Sequence, residues 1–146
     1  MSPWIRTIAL ALCIVVAGCA DGPFKPRFEG KQQQKDCDDT GPCIVSVAVG
    51  CGDTCITVDY DVVVVRRKSR IDIKWELSNA GDFRFPADGG VVIDAPEGEF
   101  RCHVEANGRR YVCMDNHGNK EVAVYKYSIK LTGPKTLTYD PWVIND

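Results

Sequence analysis

Eight cysteines stand in a chain of 146 residues, and they are its most reactive side chains. Cys51 and Cys55 are four residues apart, Cys113 lies four before His117, and His103 adjoins Cys102. Such a set could pair as disulfides or hold a soft metal. A cupredoxin-like copper site needs two histidines, a cysteine and usually a weak axial methionine. No methionine follows His117, and Met114 falls on the opposite strand face from Cys113. Thiolate zinc needs reduced sulfur, which an oxidising compartment disfavours. Disulfides are therefore the leading reading and no cofactor is expected. Hydrolytic chemistry finds little support: the two histidines lack a nucleophile context, there is no G-x-S-x-G elbow, and Ser46, Ser69, Ser78 and Ser128 fall in strand or turn segments. The carboxylates Asp36, Asp38, Asp39, Asp59, Asp61, Asp88, Glu97 and Glu99 read as solvating loops, not as an acid and a second carboxylate facing each other across a cleft. The expectation is a protein that is not an enzyme.

Charge narrows the partners. A net charge of −2 and a pI near 5.7 argue against nucleic acid, whose binders carry a strongly basic face. The one compact charge feature is Arg66-Arg67-Lys68-Ser69-Arg70, between two strand signals. It reads first as a charged turn. Its functional reading is contact of Arg66, Arg67, Lys68 and Arg70 with an anionic surface such as lipid, lipopolysaccharide or peptidoglycan.

The start of the chain reads as an address. Met1–Arg6 carries one positive side chain, and Thr7–Val16 is uncharged and apolar. Ten helical residues rise only about 15 Å, half a bilayer core, as in the apolar region of a signal peptide. The stretch closes on Val16-Ala17-Gly18-Cys19, which resembles the lipobox of bacterial lipoproteins. That resemblance implies a diacylglyceryl group on the Cys19 thiol and cleavage before it, giving a leader of 1–18. Two or three acyl chains anchor durably to a bilayer where one does not. Ala20, not aspartate, follows Cys19, which by analogy with enterobacterial lipoproteins leans toward the outer membrane. Loss of Cys13 and modification of Cys19 would leave Cys37, Cys43, Cys51, Cys55, Cys102 and Cys113, an even set for three disulfides.

The segment from Ala20 to about Asp36 is rich in Gly, Pro, Lys and Gln, and it shows neither hydrophobic period. It reads as a flexible tether, with 19–41 the anchored arm and 42–146 the folded domain. From there period two prevails. Ile71, Ile73, Trp75 and Leu77 alternate with polar residues, as do Tyr125, Tyr127, Ile129 and Leu131. Weaker strand signals cover Cys43–Val49, Ile56–Val65, Phe83–Phe85, Val91–Ile93, Phe100–Ala106, Arg110–Met114 and Leu137–Val143. The expected fold is all-β: an antiparallel β-sandwich, immunoglobulin-like or similar, of about seven to nine short strands. Trp75, Phe100, Tyr111, Tyr125 and Tyr127 fall on apolar phases and read as core; Phe83 and Trp142 are left open between core and a partner surface.

One hairpin can be followed to a bond. Asn107-Gly108 favours a two-residue type I′ loop. Ala106 then faces Arg109, Val104 faces Tyr111 and Cys102 faces Cys113, about 4.5–5.5 Å apart at the α-carbons, within disulfide reach. Cys37, Cys43, Cys51 and Cys55 allow three pairings among which the sequence does not choose.

Several stretches carry a broader likeness: Trp75-Glu-Leu77, Phe83-Arg-Phe85, Asp88-Gly-Gly-Val-Val-Ile93, Phe100, Cys113, Asn116, Tyr125-Lys-Tyr127-Ser-Ile129 and Asp140-Pro-Trp-Val-Ile-Asn145. With these, roughly Cys43 to Asn145 resembles a family of small, uncharacterised proteobacterial exported domains. The resemblance implies a compact β-sandwich and no activity. The expectation is an outer-membrane lipoprotein that faces the periplasm, touches the bilayer through Cys19 and binds an envelope protein without catalysis. The alternative is a small inhibitor or immunity protein that blocks a hydrolase or toxin with a rigid loop near Cys51–Cys55 or Ala87–Gly90. A cupredoxin-like metal domain is the lesser reading.

Overall fold

The computed structural model describes residues 33–38, 40–66, 70–116 and 122–146. They form β1 (Gln34–Cys37), β2 (Cys43–Gly50), β3 (Cys55–Val58), β4 (Val62–Val65), β5 (Ile71–Asn79), β6 (Val91–Ile93), β7 (Phe100–Glu105), β8 (Arg110–Asp115), β9 (Ala123–Thr132), β10 (Thr136–Tyr139) and β11 (Trp142–Asn145). Two sheets face each other. The first joins β1, β4, β11, β9 and β10, with β6 also on β9; the second runs β3, β2, β5, β8, β7. The expected all-β sandwich is what forms.

The two strands with the clearest alternation carry the core. In β5, Ile71, Ile73, Trp75 and Leu77 are buried while Asp72 and Ser78 are exposed. In β9, Tyr125, Tyr127, Ile129 and Leu131 are buried while Lys126 and Lys130 are exposed. These faces meet at Trp75 and Tyr127, whose ring centroids lie 5.3 Å apart and tilted. The Trp75 indole N–H donates to the Tyr127 hydroxyl at 3.3 Å, so one hydrogen bond crosses the core between the sheets. Burial pushes the Tyr127 hydroxyl well above its ordinary pKa, because a phenolate there would lose its hydration.

The sheets are mixed, not purely antiparallel as expected. β1–β4, β4–β11 and β2–β5 are parallel pairs. The cause is the connectivity: a parallel neighbour needs a crossover connection, and here the chain crosses between sheets. It does so from β1 to β2 and again from β3 to β4. The second crossover splits the apparent strand Ile56–Val65 at Asp59–Asp61. Asp59 accepts from the Ser46 backbone N–H at 2.8 Å in the second sheet. Asp61 accepts from the Tyr139 hydroxyl at 2.5 Å in the first. The run Leu137–Val143 likewise divides at Asp140-Pro141, yet β10 and β11 keep a single register against β9, from Thr136 opposite Thr132 to Asn145 opposite Ala123. Pro141 cannot donate to the ladder, but its carbonyl accepts from the Tyr127 N–H at 3.0 Å. Phe83–Phe85 is not a strand. Arg84 makes one bridge to Thr132 while Phe83 and Phe85 are buried on either side of it.

The folded domain also starts earlier than expected. Gln34–Cys37, within the segment read as tether, is a strand parallel to β4. As an edge strand it buries only Cys37 fully, so it needs ladder partners and not an apolar pattern. Cys37 bonds to Cys43, tying β1 of the first sheet to β2 of the second, and both cysteines are at most 2% exposed. Cys51 bonds to Cys55 across the β2–β3 turn.

The expected Cys102–Cys113 bond forms in the expected register, with α-carbons 4.0 Å apart. Asn107 and Gly108 both take positive φ (54° and 80°), and the Arg109 N–H reaches the Ala106 carbonyl at 3.1 Å. This is the two-residue turn that the Asn-Gly pair favours. The ladder stops one pair short, at Glu105–Arg110, because Ala106 turns to φ 49° and leaves the extended region.

Truncating the interlocked centre should be costly and truncating an exposed edge should not. Trp75→Ala is expected to lower the unfolding free energy by about 3–5 kcal/mol through the cavity it leaves. Val92→Ala, at a side chain 55% exposed, should change it by less than about 0.5 kcal/mol. Urea denaturation of both variants checks this.

Candidate functional site

The residues singled out in the sequence separate once placed. Cys19, Arg67, Lys68, Ser69 and His117 lie outside the described residues. Arg66 is engaged within the protein: its guanidinium pairs with Asp36 of β1 at 2.8 Å and with Asp146 after β11. Those bonds, Asp146's first and Asp36's next, hold Arg66 above the ordinary guanidinium pKa. Arg66 therefore acts as a clasp over β1, β4 and the end of β11, and its charge is already matched. Arg70 alone of the four basic candidates stands exposed among the described residues without an ion-pair partner. It lines a shallow cleft of about 330 Å³ with Asp38, Pro42, Asp72 and Lys74. Asp38 accepts from the Thr40 hydroxyl and N–H, the hydroxyl bond holding its carboxyl below the usual carboxylate range. The cleft is thus lined by two acids and two bases, a balanced and not a basic surface.

Just inside the same end of the sandwich lies a polar contact that the sequence did not disclose. Asn145 of β11, 1% exposed, donates through Nδ2 to Glu99 Oε1 at 3.1 Å and to Asp115 Oδ1 at 3.4 Å. Asp115 belongs to β8, so this amide joins the two sheets at their end as Trp75 and Tyr127 do at their centre. Glu99 was read as a solvated loop acid and is 7% exposed. No periodic signal could have found it, since it sits between turn and strand.

The histidine that can be placed stands on a wet face. His103 of edge strand β7 meets Glu105 at 3.1 Å, and Glu105 also meets Arg110 at 3.5 Å, which in turn bonds Glu76 at 2.7 Å. This chain of charges crosses three strands, and the His103 hydrogen bond, before that of Arg110, lowers the Glu105 pKa. With Cys113 joined to Cys102 and Cys51 to Cys55, the thiolates a soft-metal site would draw on are committed to disulfides. Among the described residues no three His, Cys, Asp or Glu side chains gather around a common point. Of the two open aromatics, Phe83 is buried and Trp142 half-buried.

The two loops expected to present a rigid surface differ sharply. The Ala87–Gly90 turn exposes Ala87 and Asp88 but is anchored at Gly90, which is buried and where a Cβ would lie 2.6 Å from the Tyr111 ring. The β2–β3 turn stands clear, with residues 51–54 all exposed. Cys51, Gly52 and Asp53 take positive φ in succession, at 53°, 62° and 63°. For a residue with a Cβ this conformation costs about 1–2 kcal/mol, less for Asp than for Cys. The Cys51–Cys55 bond closes the turn, and Thr54 donates its N–H to Gly50 O at 3.1 Å and its hydroxyl to Cys51 O at 2.7 Å. Compared with known proteins, the chain matches no family model and no curated protein.

Arg66→Ala should cost no more than about 1 kcal/mol, since its pairs are roughly half exposed. It should nonetheless speed amide exchange at Gln34–Cys37 relative to β5. Tyr139 gives a pH test. Its hydrogen bond to Asp61, followed by partial burial, pushes its pKa up to about 12, so the neutral hydroxyl is stabilised in the fold. That contribution is complete below the unfolded tyrosine value near 10 and falls away as pH rises through about 12. Phenolate absorbance of the folded protein should lose a step near pH 12 in Tyr139→Phe.

Proposed function

We propose that this chain is a lipid-anchored exported protein whose β-sandwich is a non-catalytic binding module of the cell envelope. In this reading acylated Cys19 holds it to the outer membrane, facing the periplasm, and the sandwich recognises another envelope protein. The observation that carries it is the state of the cysteines: all six that follow Cys19 are joined in three disulfides. Such bonds persist where the surroundings oxidise, as in a periplasm, and are rare in a reducing cytosol. The Val16–Cys19 stretch after ten uncharged residues supplies a route to that compartment. Binding is favoured over catalysis by His103 lying exposed in a surface charge network and by the balanced, shallow Arg70 cleft.

The inhibitor or immunity reading is favoured by one further observation, the stiff exposed turn at Cys51–Cys55. It differs from the first reading only in what the module binds.

Labelling of cells with a tritiated fatty acid followed by membrane fractionation tests the anchor. The wild-type chain should take up label and sediment with outer membrane, and Cys19→Ala should be unlabelled and released by osmotic shock. An unlabelled wild-type chain in the cytosol contradicts the proposal.

A further inference from the structure

We infer that the Cys51–Cys55 turn is the element with which the domain docks, inserting as a preformed loop into a narrow pocket of a protein partner whose floor carries a basic side chain opposite Asp53. This rests on the proposed binding role and names the surface that performs it. The contrast with the β7–β8 turn carries the argument. That turn also holds non-glycine residues in the left-handed region, Ala106 and Asn107. There the fold accounts for them: Gly108 is buried, its carbonyl accepts from the Phe85 N–H at 2.8 Å, and a Cβ on it would strike the Phe85 carbonyl. The Cys51–Cys55 turn packs on nothing comparable. A Cβ at Gly52 would meet no atom within 4 Å, and residues 51–54 are all exposed. Its left-handed run is held by its own disulfide and by the two Thr54 hydrogen bonds, not by docking on the domain.

A covalently held turn that stands clear of the rest of the domain is suited to a binding element, because it loses little freedom when bound. Gly52 at the tip lets a partner's backbone come close. Asp53 sets the chemistry: it is exposed and makes no hydrogen bond or ion pair among the described residues. A lone carboxylate on a rigid tip is matched by a cationic group in the pocket, and such complementarity governs encounter and register.

The test places a photo-crosslinking amino acid at Thr54 in the full chain, expressed in its own cells and irradiated there. A discrete adduct is expected. It should fall about ten-fold or more with Asp53→Lys, as loss of one close charge pair implies. It should fall likewise with Cys51→Ser/Cys55→Ser, whose fold is checked by circular dichroism and by the other two disulfides. The same amino acid at Lys135, exposed in the β9–β10 turn, should not give that adduct. An adduct indifferent to Asp53→Lys overturns the inference. An adduct from Lys135 or Val92 but not from Thr54 overturns it too while leaving the binding role standing, and no adduct from any of the three overturns both.

Discussion

The oxidised state of six sulfur atoms is the condition on which the rest of this structure depends. Among the described residues Cys37–Cys43 is the one disulfide between the sheets, and it holds the short polar edge strand β1 where four ladder positions and the Arg66 clasp would otherwise act alone. Cys102–Cys113 fixes the other edge of the second sheet, at β7, and Cys51–Cys55 fixes a turn that the fold leaves unsupported. The three bonds close loops with separations of 6, 4 and 11 residues. Loops this short restrict the unfolded chain by about 2–3 kcal/mol each, comparable to a sizeable part of a small domain's net stability. Reduction would therefore loosen edges and turns before it disturbed the Trp75–Tyr127 centre.

What could be read from the sequence follows how each residue's role is encoded. Alternation exposes a strand with one wet face, so β5 and β9 and their inward aromatics were legible residue by residue. The Asn107-Gly108 turn was equally so, because only a tight loop with two left-handed residues suits that pair, and its register fixed Cys102 opposite Cys113. β1 was not, since Gln34, Lys35 and Asp36 take their places in the ladder against β4 without burying an apolar face. The break at Asp59–Asp61 hid inside the run Ile56–Val65, because four successive buried valines in β4 look the same as a continued strand. Parallel pairing left no mark either, being a property of the crossovers and not of any strand's composition.

The candidate site was legible in part. Arg66 stood in a basic run that looked like one surface, yet Asp36 and Asp146, far from it in sequence, claim its charge. Glu99 stood among loop acids, and only the approach of Asn145 from the opposite sheet makes it an interior residue. In each case the partner comes from an element remote in sequence. The Cys51–Cys55 turn was noticed for its spacing. Its left-handed run and its clearance from the domain are tertiary facts, and they distinguish it from the Ala87–Gly90 turn, whose Gly90 lies against Tyr111.

One measurement bears on the central claim most directly: acid quenching of living cells, alkylation of free thiols and peptide mass mapping without reduction. The account predicts unalkylated Cys37, Cys43, Cys51, Cys55, Cys102 and Cys113, linked 37–43, 51–55 and 102–113. Alkylated thiols at those positions in freshly quenched cells would contradict it.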